Sequence, residues 1–145
     1  MEFTVRAAKP EDCKDVSRMI MELAIYEKMQ DQVKISHKGH MKVGYALYFY
    51  TYSTWKGRSV YMEDLYVMPE FRGKGIGKAL MSKVAAVGKE QQCIRMNFSV
   101  LDWNTQSLDF YLAKGAQDLT ASEGWHFLRF DGETLDKLAE EAPKN

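Results

Sequence analysis

Cysteine is scarce in this chain of 145 residues: Cys13 and Cys93 are the only two. Two thiols so placed make neither a disulfide framework nor a zinc spacing. Both fall within predicted elements, where a thiol packs as a small hydrophobe. No metal is expected, and a reducing intracellular compartment matches. Net charge is also missing, because twenty basic residues face twenty acidic ones. Without a basic footprint, nucleic acid is excluded as the main partner. No apolar run reaches membrane-spanning length, and the N-terminus has no signal-peptide layout. No internal repeat, low-complexity tract or linker divides the chain. What is present is 46% apolar residues and 28% charged ones, the balance of one soluble globular domain, 1–145, with a core of its own.

The chain is organised around Arg72-Gly73-Lys74-Gly75-Ile76-Gly77. A strand-like run, Tyr61-Met62-Glu63-Asp64-Leu65-Tyr66-Val67, precedes it, and a helical pattern follows from about 76 to 89. A strand, a glycine turn and a helix N-terminus together bind anions, because first-turn N–H groups lack partners and carry the positive end of the macrodipole. Three glycine codes compete for this stretch. A P-loop needs four residues before its Gly-Lys pair and then a hydroxyl; here three residues separate Gly73 from Gly77, and Ala79 stands in the hydroxyl position. The dinucleotide code fails as well, since its last glycine falls on Lys78 or Leu80. The pattern that remains, Arg-x-x-Gly-x-Gly, resembles the pyrophosphate loop of the GNAT acetyltransferase superfamily.

In order along the chain, Phe3-Thr4-Val5-Arg6-Ala7 alternates as a first strand. Pro10-Glu11-Asp12 starts a helix carrying Val16, Met19, Ile20, Leu23 and Ala24 at helical spacing. Ser36-His37-Lys38-Gly39-His40 is polar and loop-like, and its two histidines have no further metal ligands. Val43 to Tyr52 and 59–67 read as two strands of a hairpin around Ser53-Thr54-Trp55-Lys56-Gly57-Arg58. Ile76, Leu80, Val84 and Val87 mark the buried face of the next helix. A strand follows over 94–101, then a helix over 105–114 stopped by Gly115, a strand over Trp125-His126-Phe127-Leu128-Arg129-Phe130 and a last helix over 133–141. This order predicts a mixed α/β sheet with helices on its faces.

Acetyl transfer to an amine needs a held thioester, a neutral amine, a donor for the carbonyl oxygen and a proton for the departing thiolate. An alkyl amine arrives protonated, with a pKa of about 10.4. Glu63 and Asp64, at the strand end before the glycine loop, are candidates to attract it and take its proton. Strand alternation puts the two on opposite faces, so that one of them faces the substrate. Backbone N–H groups of Leu65, Tyr66 and Val67 are candidates to hold the carbonyl and the pantetheine arm. Tyr111, on the helix after Asn104, carries a phenol able to protonate a thiolate.

Taken together, Asp12-Cys13, Glu22-Leu23-Ala24, Tyr26-Glu27, Trp55, the run from Tyr61 to Met68, the glycine loop, Trp103-Asn104, Phe110-Tyr111 and Glu123-Gly124-Trp125 resemble the spermidine/spermine N-acetyltransferase family over nearly the whole chain. The resemblance implies a GNAT fold: a mixed, mostly antiparallel central sheet with helices on both faces. A splayed strand pair, here 59–67 and 94–101, holds the cofactor. It implies that Leu65, Tyr66, Val67, Arg72, Gly73, Lys74, Gly75, Ile76, Gly77 and Lys78 bind acetyl-CoA, with Asn104, Thr105, Gln106 and Ser107. Tyr111 is then the proton donor and Glu63 the base. Tyr26, Glu27, Trp55, Glu63, Asp64, Asn97, Phe98, Ser99 and Glu123 line the amine site. The family is cytoplasmic, homodimeric and metal-free.

Within the family, Asp31-Gln32-Val33-Lys34-Ile35-Ser36, Tyr52-Ser53-Thr54-Trp55-Lys56-Gly57-Arg58 and Val100-Leu101-Asp102-Trp103-Asn104 resemble the thialysine branch more than the polyamine branch. The latter tends to carry an acid where Ser53 stands. The expected substrate is a small cationic amine such as thialysine. A polyamine acetyltransferase, a protein-lysine acetyltransferase and a weakly active CoA-binding interaction module are the alternatives. One departure stands out. Between Ser36 and Val43 the family carries a helix and most of a strand that this sequence lacks: either the chain has a deletion, which would leave a sheet edge without its neighbour, or a segment has been closed up in the numbering, the favoured explanation.

Overall fold

Two aromatic-rich runs pair as an antiparallel hairpin: β1, Gly44–Ser53, and β2, Gly57–Val67. Its turn is closed by Ser53, whose Oγ accepts hydrogen bonds from the backbone N–H groups of Trp55 and Lys56 at 3.3 and 3.2 Å. The computed structural model describes residues 2–26 and 41–144. The chain falls into two units, Met1–Ser99 and Val100–Asn145.

In the first unit a 3-10 turn, Pro10–Asp12, leads into α1, Cys13–Tyr26. A second 3-10 turn, Pro69–Phe71, and the glycine loop lead from β2 to α2, Ile76–Glu90. A two-residue strand, β3, Met96–Asn97, pairs parallel with Val60 and Tyr61 of β2. The sheet is therefore mixed, in the order β1-β2-β3. Its two faces carry separate cores. Met19 of α1 packs with Tyr45, Tyr66 and Met68 on one face. Val84 of α2 packs with Val60 and Cys93, against Ala46, Tyr48 and Met96, on the other. Each fully buried apolar side chain in these cores contributes about 1.5–3 kcal/mol.

The N-terminal segment is pinned rather than paired. Asp12 is buried, and its carboxylate accepts from the Arg6 guanidinium at 2.7 and 2.9 Å and from the Lys9 N–H at 2.8 Å. The Arg6 hydrogen bonds, aided by the Lys9 N–H, hold this carboxyl well below the usual carboxylate range. The expected strand at 3–7 does not form, because extended backbone becomes a strand only against a partner ladder. Instead, residues 2–8 and the first half of β1 line one open cleft of about 1470 Å³, with Val16, Met19, Leu80 and Val84 among its apolar walls.

The second unit contains α3, Thr105–Ala113, α4, Leu119–Glu123, and α5, Gly132–Glu140. The first and last match the helices expected from the sequence, whereas α4 was not foreseen. Asp118 caps it, accepting from Thr120 N and Ala121 N, and Gly124 ends it with φ of 71°. The expected strand at 125–130 carries no ladder. The strand expected over 94–101 is reduced to β3, since its pairing with β2 stops after Asn97.

Candidate active site

The geometry of β2 rests on one extra residue. Leu47 of β1 is opposite Asp64, but Tyr48 is opposite Met62, so Glu63 has no partner and forms a β-bulge. Met68 N donates to Val43 O at 2.8 Å. By antiparallel alternation, Tyr66 and Asp64 then turn their own N–H and C=O toward β1, while Leu65 and Val67 turn theirs to the opposite edge. Before the bulge the phase is the other one. Val60 N donates to Arg95 O at 3.0 Å and Arg58 O accepts from Ile94 N at 3.1 Å, so even-numbered residues face β3 there. The bulge changes the phase at the point where the β3 ladder ends. Beyond it, the edge carrying Leu65 and Val67 lies outside any ladder with β3, and β2 and β3 separate as a splayed pair.

Hydrogen bonding and exposure tell the two carboxylates apart. Asp64 accepts a hydrogen bond from Tyr45 Oη at 3.2 Å. Tyr45 is buried, and that burial, with Asp64 beside it, pushes the phenol well above its ordinary value. Glu63 is exposed and is the carboxylate of the pair open to a substrate. Tyr66, expected as a backbone donor toward the cofactor, instead has its backbone turned to β1 and its ring buried. Its Oη donates to Glu22 Oε2 at 3.1 Å, and burial pushes this phenol up to about 12. Tyr66 is a core residue beneath the site.

The glycine loop begins with Arg72, whose Nε donates to Val67 O at 2.7 Å and whose guanidinium lies 5.6 Å from the Tyr66 ring centroid. This bond ties the loop to the strand end. Gly73 and Gly75 take φ of 77° and 84°, and no atom lies within 4 Å of where a Cβ would stand on either. Both conformations are left-handed and suit glycine. Gly75 is the N-cap of α2, and the first turn contains no acidic residue. Ile76 is buried and anchors the helix, while Lys74 and Lys78 are exposed and cationic. A Cβ on Gly77 would meet Val67 Cγ2 at 3.8 Å, an ordinary van der Waals distance. Two left-handed glycines with open space beside them, an unopposed helix N-terminus and two lysines suit a diphosphate.

Among the remaining expected residues, Asn97 lies in β3, Phe98 is half-buried beside it, and Ser99 shares a hydrogen bond with Tyr61 at 3.0 Å between hydroxyl oxygens. Trp55 stands exposed at the hairpin tip. Glu63 lies six residue steps along β2 from Gly57, about 20 Å, so Trp55 at the hairpin tip stands far along the strand from Glu63. Tyr26 closes α1, and Glu27 lies outside the described residues.

In the second unit Asn104 caps α3, its Oδ1 accepting from Ser107 N at 3.3 Å, with Thr105 and Gln106 exposed in the first turn. Tyr111 stands in the same helix, its ring 5.4 Å from Phe110 in an edge-on contact. Burial raises its pKa, so the phenol is protonated at neutral pH. Glu123 Oε1 accepts from Trp125 Nε1 at 2.8 Å. Sequence reasoning missed the bulge, the Tyr61–Ser99 pair and the Glu22–Tyr66 bond. No local signal marks the first, which is defined only by register against another strand. Among the described residues no group of His, Cys, Asp or Glu could hold a metal ion, and no helix is long and apolar enough to cross a membrane.

Comparison with known proteins agrees with this architecture. Residues 16–116 match the family model of the Acetyltransferase (GNAT) family. The thialysine N-epsilon-acetyltransferase of Bos taurus is 45% identical, covering 93% of this chain and 96% of that one. Its counterpart in Caenorhabditis elegans is 33% identical, covering 96% and 98%. The bovine alignment spans 163 positions but draws on only 93% of 145 residues, about 135, so roughly 28 positions of the relative have no counterpart here. An aminoglycoside N-acetyltransferase solved in complex with CoA shares the fold at a TM-score of 0.67, with 21% identity over 88% of this chain and 98% of that one. With a glycine loop at a helix N-terminus, a bulged strand and a splayed parallel pair, the chain belongs to the GNAT family of acetyl-CoA-dependent N-acetyltransferases.

Proposed function

We propose that one domain spanning the chain transfers the acetyl group of acetyl-CoA to the side-chain amine of a small, amino-acid-like cation of the thialysine type. The observation that carries this reading is the 45% identity to the bovine thialysine enzyme over 93% of the chain. Acetyl-CoA supplies the acetyl group as an activated thioester. Arg72, Gly73, Lys74, Gly75, Ile76, Gly77 and Lys78 hold its diphosphate at the N-terminus of α2. The outward N–H groups of Leu65 and Val67 bind along the open edge of β2. Asn104, Thr105, Gln106 and Ser107 contact the same cofactor.

Glu63 attracts the ammonium and takes its proton, directly or through water. Asp64 supports the site from its bond to Tyr45. Tyr111 gives its proton to the departing thiolate sulfur. Its raised pKa keeps that proton in place until the sulfur becomes a strong enough base. Asn97, Phe98, Ser99, Tyr26, Glu27 and Glu123 belong to the amine side. Trp55 belongs there too, and its distance from Glu63 along β2 supports a homodimer in which it serves the partner protomer. The protein acts in the cytoplasm.

Ser53 argues against a long polycation as substrate. Its hydroxyl closes the hairpin turn and puts no carboxylate there. The test is kcat/KM for thialysine, lysine, ornithine, putrescine and spermidine with acetyl-CoA, because specificity is a ratio of those values. Thialysine should lead; a lead for spermidine would make the enzyme a polyamine acetyltransferase. Binding of acetyl-CoA without turnover across the panel would leave a CoA-binding interaction module. Tyr111→Phe should lower kcat by about 10²-fold, in the range of lost general acid–base catalysis, with acetyl-CoA affinity unchanged. An unaltered kcat would remove Tyr111 from the mechanism.

A further inference from the structure

The opening between β2 and β3 has two boundaries, and the bulge accounts for one. By changing phase at Glu63 it stops β3 from continuing its ladder along β2. The other boundary must keep β3 from peeling further back. The ladder is two pairs long, Val60↔Met96 and Tyr61↔Asn97, and its flanking bonds, Val60 N to Arg95 O and Ile94 N to Arg58 O, both lie on the side away from the opening.

Tyr61 lies in the last of those pairs. Its Oη meets Ser99 Oγ at 3.0 Å, and Ser99 is two residues past the end of the ladder. The bond therefore reaches over the point of separation and ties the departing strand back to β2. The Tyr61 ring is propped from the other side by Phe49, its register partner on β1, with centroids 5.2 Å apart. A tyrosine wedged in this way presents its hydroxyl in one direction at little entropic cost.

We propose that Tyr61 and Ser99 are positioning residues for acetyl transfer. Their hydroxyl pair sets where the opening begins, so that the amine side at Glu63 and the open edge of Leu65 and Val67 keep a fixed spacing from the exit of β3. This rests on the acetyltransferase reading above. The pair acts through the strand geometry and takes no proton in the reaction.

The test compares wild type with Tyr61→Phe, Ser99→Ala and the double variant. Tyr61→Phe keeps the ring against Phe49 and removes only the hydroxyl. Each single variant should lower kcat about three- to tenfold, the range of one lost hydrogen bond, with the melting temperature unchanged, and Tyr61→Phe should also leave the KM for the amine unchanged. The double variant should lose no more kcat than either single one, because both break the same bond. Amide hydrogen exchange of the free enzyme supplies a readout independent of turnover: protection at 97–99 should fall in Tyr61→Phe. If wild type turns over and the variants match it, or if their losses add in the double variant, the positioning role is overturned. If wild type acetylates no amine, the functional reading fails, and the exchange result alone then decides whether the pair holds the strand.

Discussion

The two edges of β2 are built from the same chain and do opposite work. Along one, ten residues of β1 pair with it from Gly44↔Val67 to Ser53↔Gly57. Along the other, β3 pairs with Val60 and Tyr61, Arg58 and Val60 bond the segment leading into it, and among the described residues no ladder continues beyond Tyr61. The closed edge is backed by a buried hydrogen-bonded layer, Tyr45 to Asp64 and Tyr66 to Glu22. The open edge offers backbone donors above a glycine loop. One side of the strand is spent on rigidity so that the other can be left unpaired without collapsing, which is what a preorganised site requires.

The sharpest way to break this contrast is at the open end. Gly75→Glu should abolish measurable acetyl-CoA binding in a calorimetric titration, through bulk and charge at the N-cap of α2. Gly75→Ala is the control, since it meets the same left-handed φ of 84° without the charge and should weaken binding far less. Normal binding by the glutamate variant would show that the loop is only a turn.

A smaller effect separates the carboxylates. Glu63→Gln should lower kcat by about 10²-fold, within the range for a lost general base. Asp64→Asn should cost much less activity, because Asp64 is already bonded to Tyr45 on the closed side. Equal losses in steady-state kinetics would mean that hydrogen bonding and exposure do not divide their roles.

The smallest effect belongs to the closed edge. Tyr66→Phe should cost about 1 kcal/mol in denaturant unfolding, the net worth of one hydrogen bond. Its phenol is raised in the folded state, from an ordinary value of 10.0 to about 12. Its contribution is therefore complete below pH 10 and is lost as pH rises through 12. Wild type should lose stability over that window, and Tyr66→Phe should lose less. Identical alkaline profiles would remove this role for the buried phenol.

The parts of this site that the sequence displays are those with local causes. The glycine loop shows itself in its glycines, α2 in the spacing of Ile76, Leu80, Val84 and Val87, and α3 in Asn104 and Gly115. The hairpin is visible in two aromatic runs around Ser53 and Gly57. Strands that depend on distant neighbours read poorly. Residues 3–7 alternate correctly yet line a cleft, because extended backbone needs another chain segment to become a ladder. The 94–101 run shrinks to Met96–Asn97 for a related reason, as its partner changes phase. Leu65, Tyr66 and Val67 are expected as backbone donors together, but which edge each backbone group faces depends on pairing with β1, which residue type does not display.

The bulge makes β2 a strand with two reading frames. Residues up to Met62 are in one, residues from Asp64 in the other, and Glu63 is the shift between them. Substitutions anywhere along the strand leave the frames intact, so side chains here can be exchanged one at a time. Removing Glu63 would set Met62 directly before Asp64 and merge the frames into one regular alternation. Tyr66 would keep its place opposite Tyr45, but Leu65 and Val67 would fall into step with Val60 and Met62 on the other edge, and the β3 ladder would be free to run on past Asn97. The opening is therefore tolerant of spelling and intolerant of length.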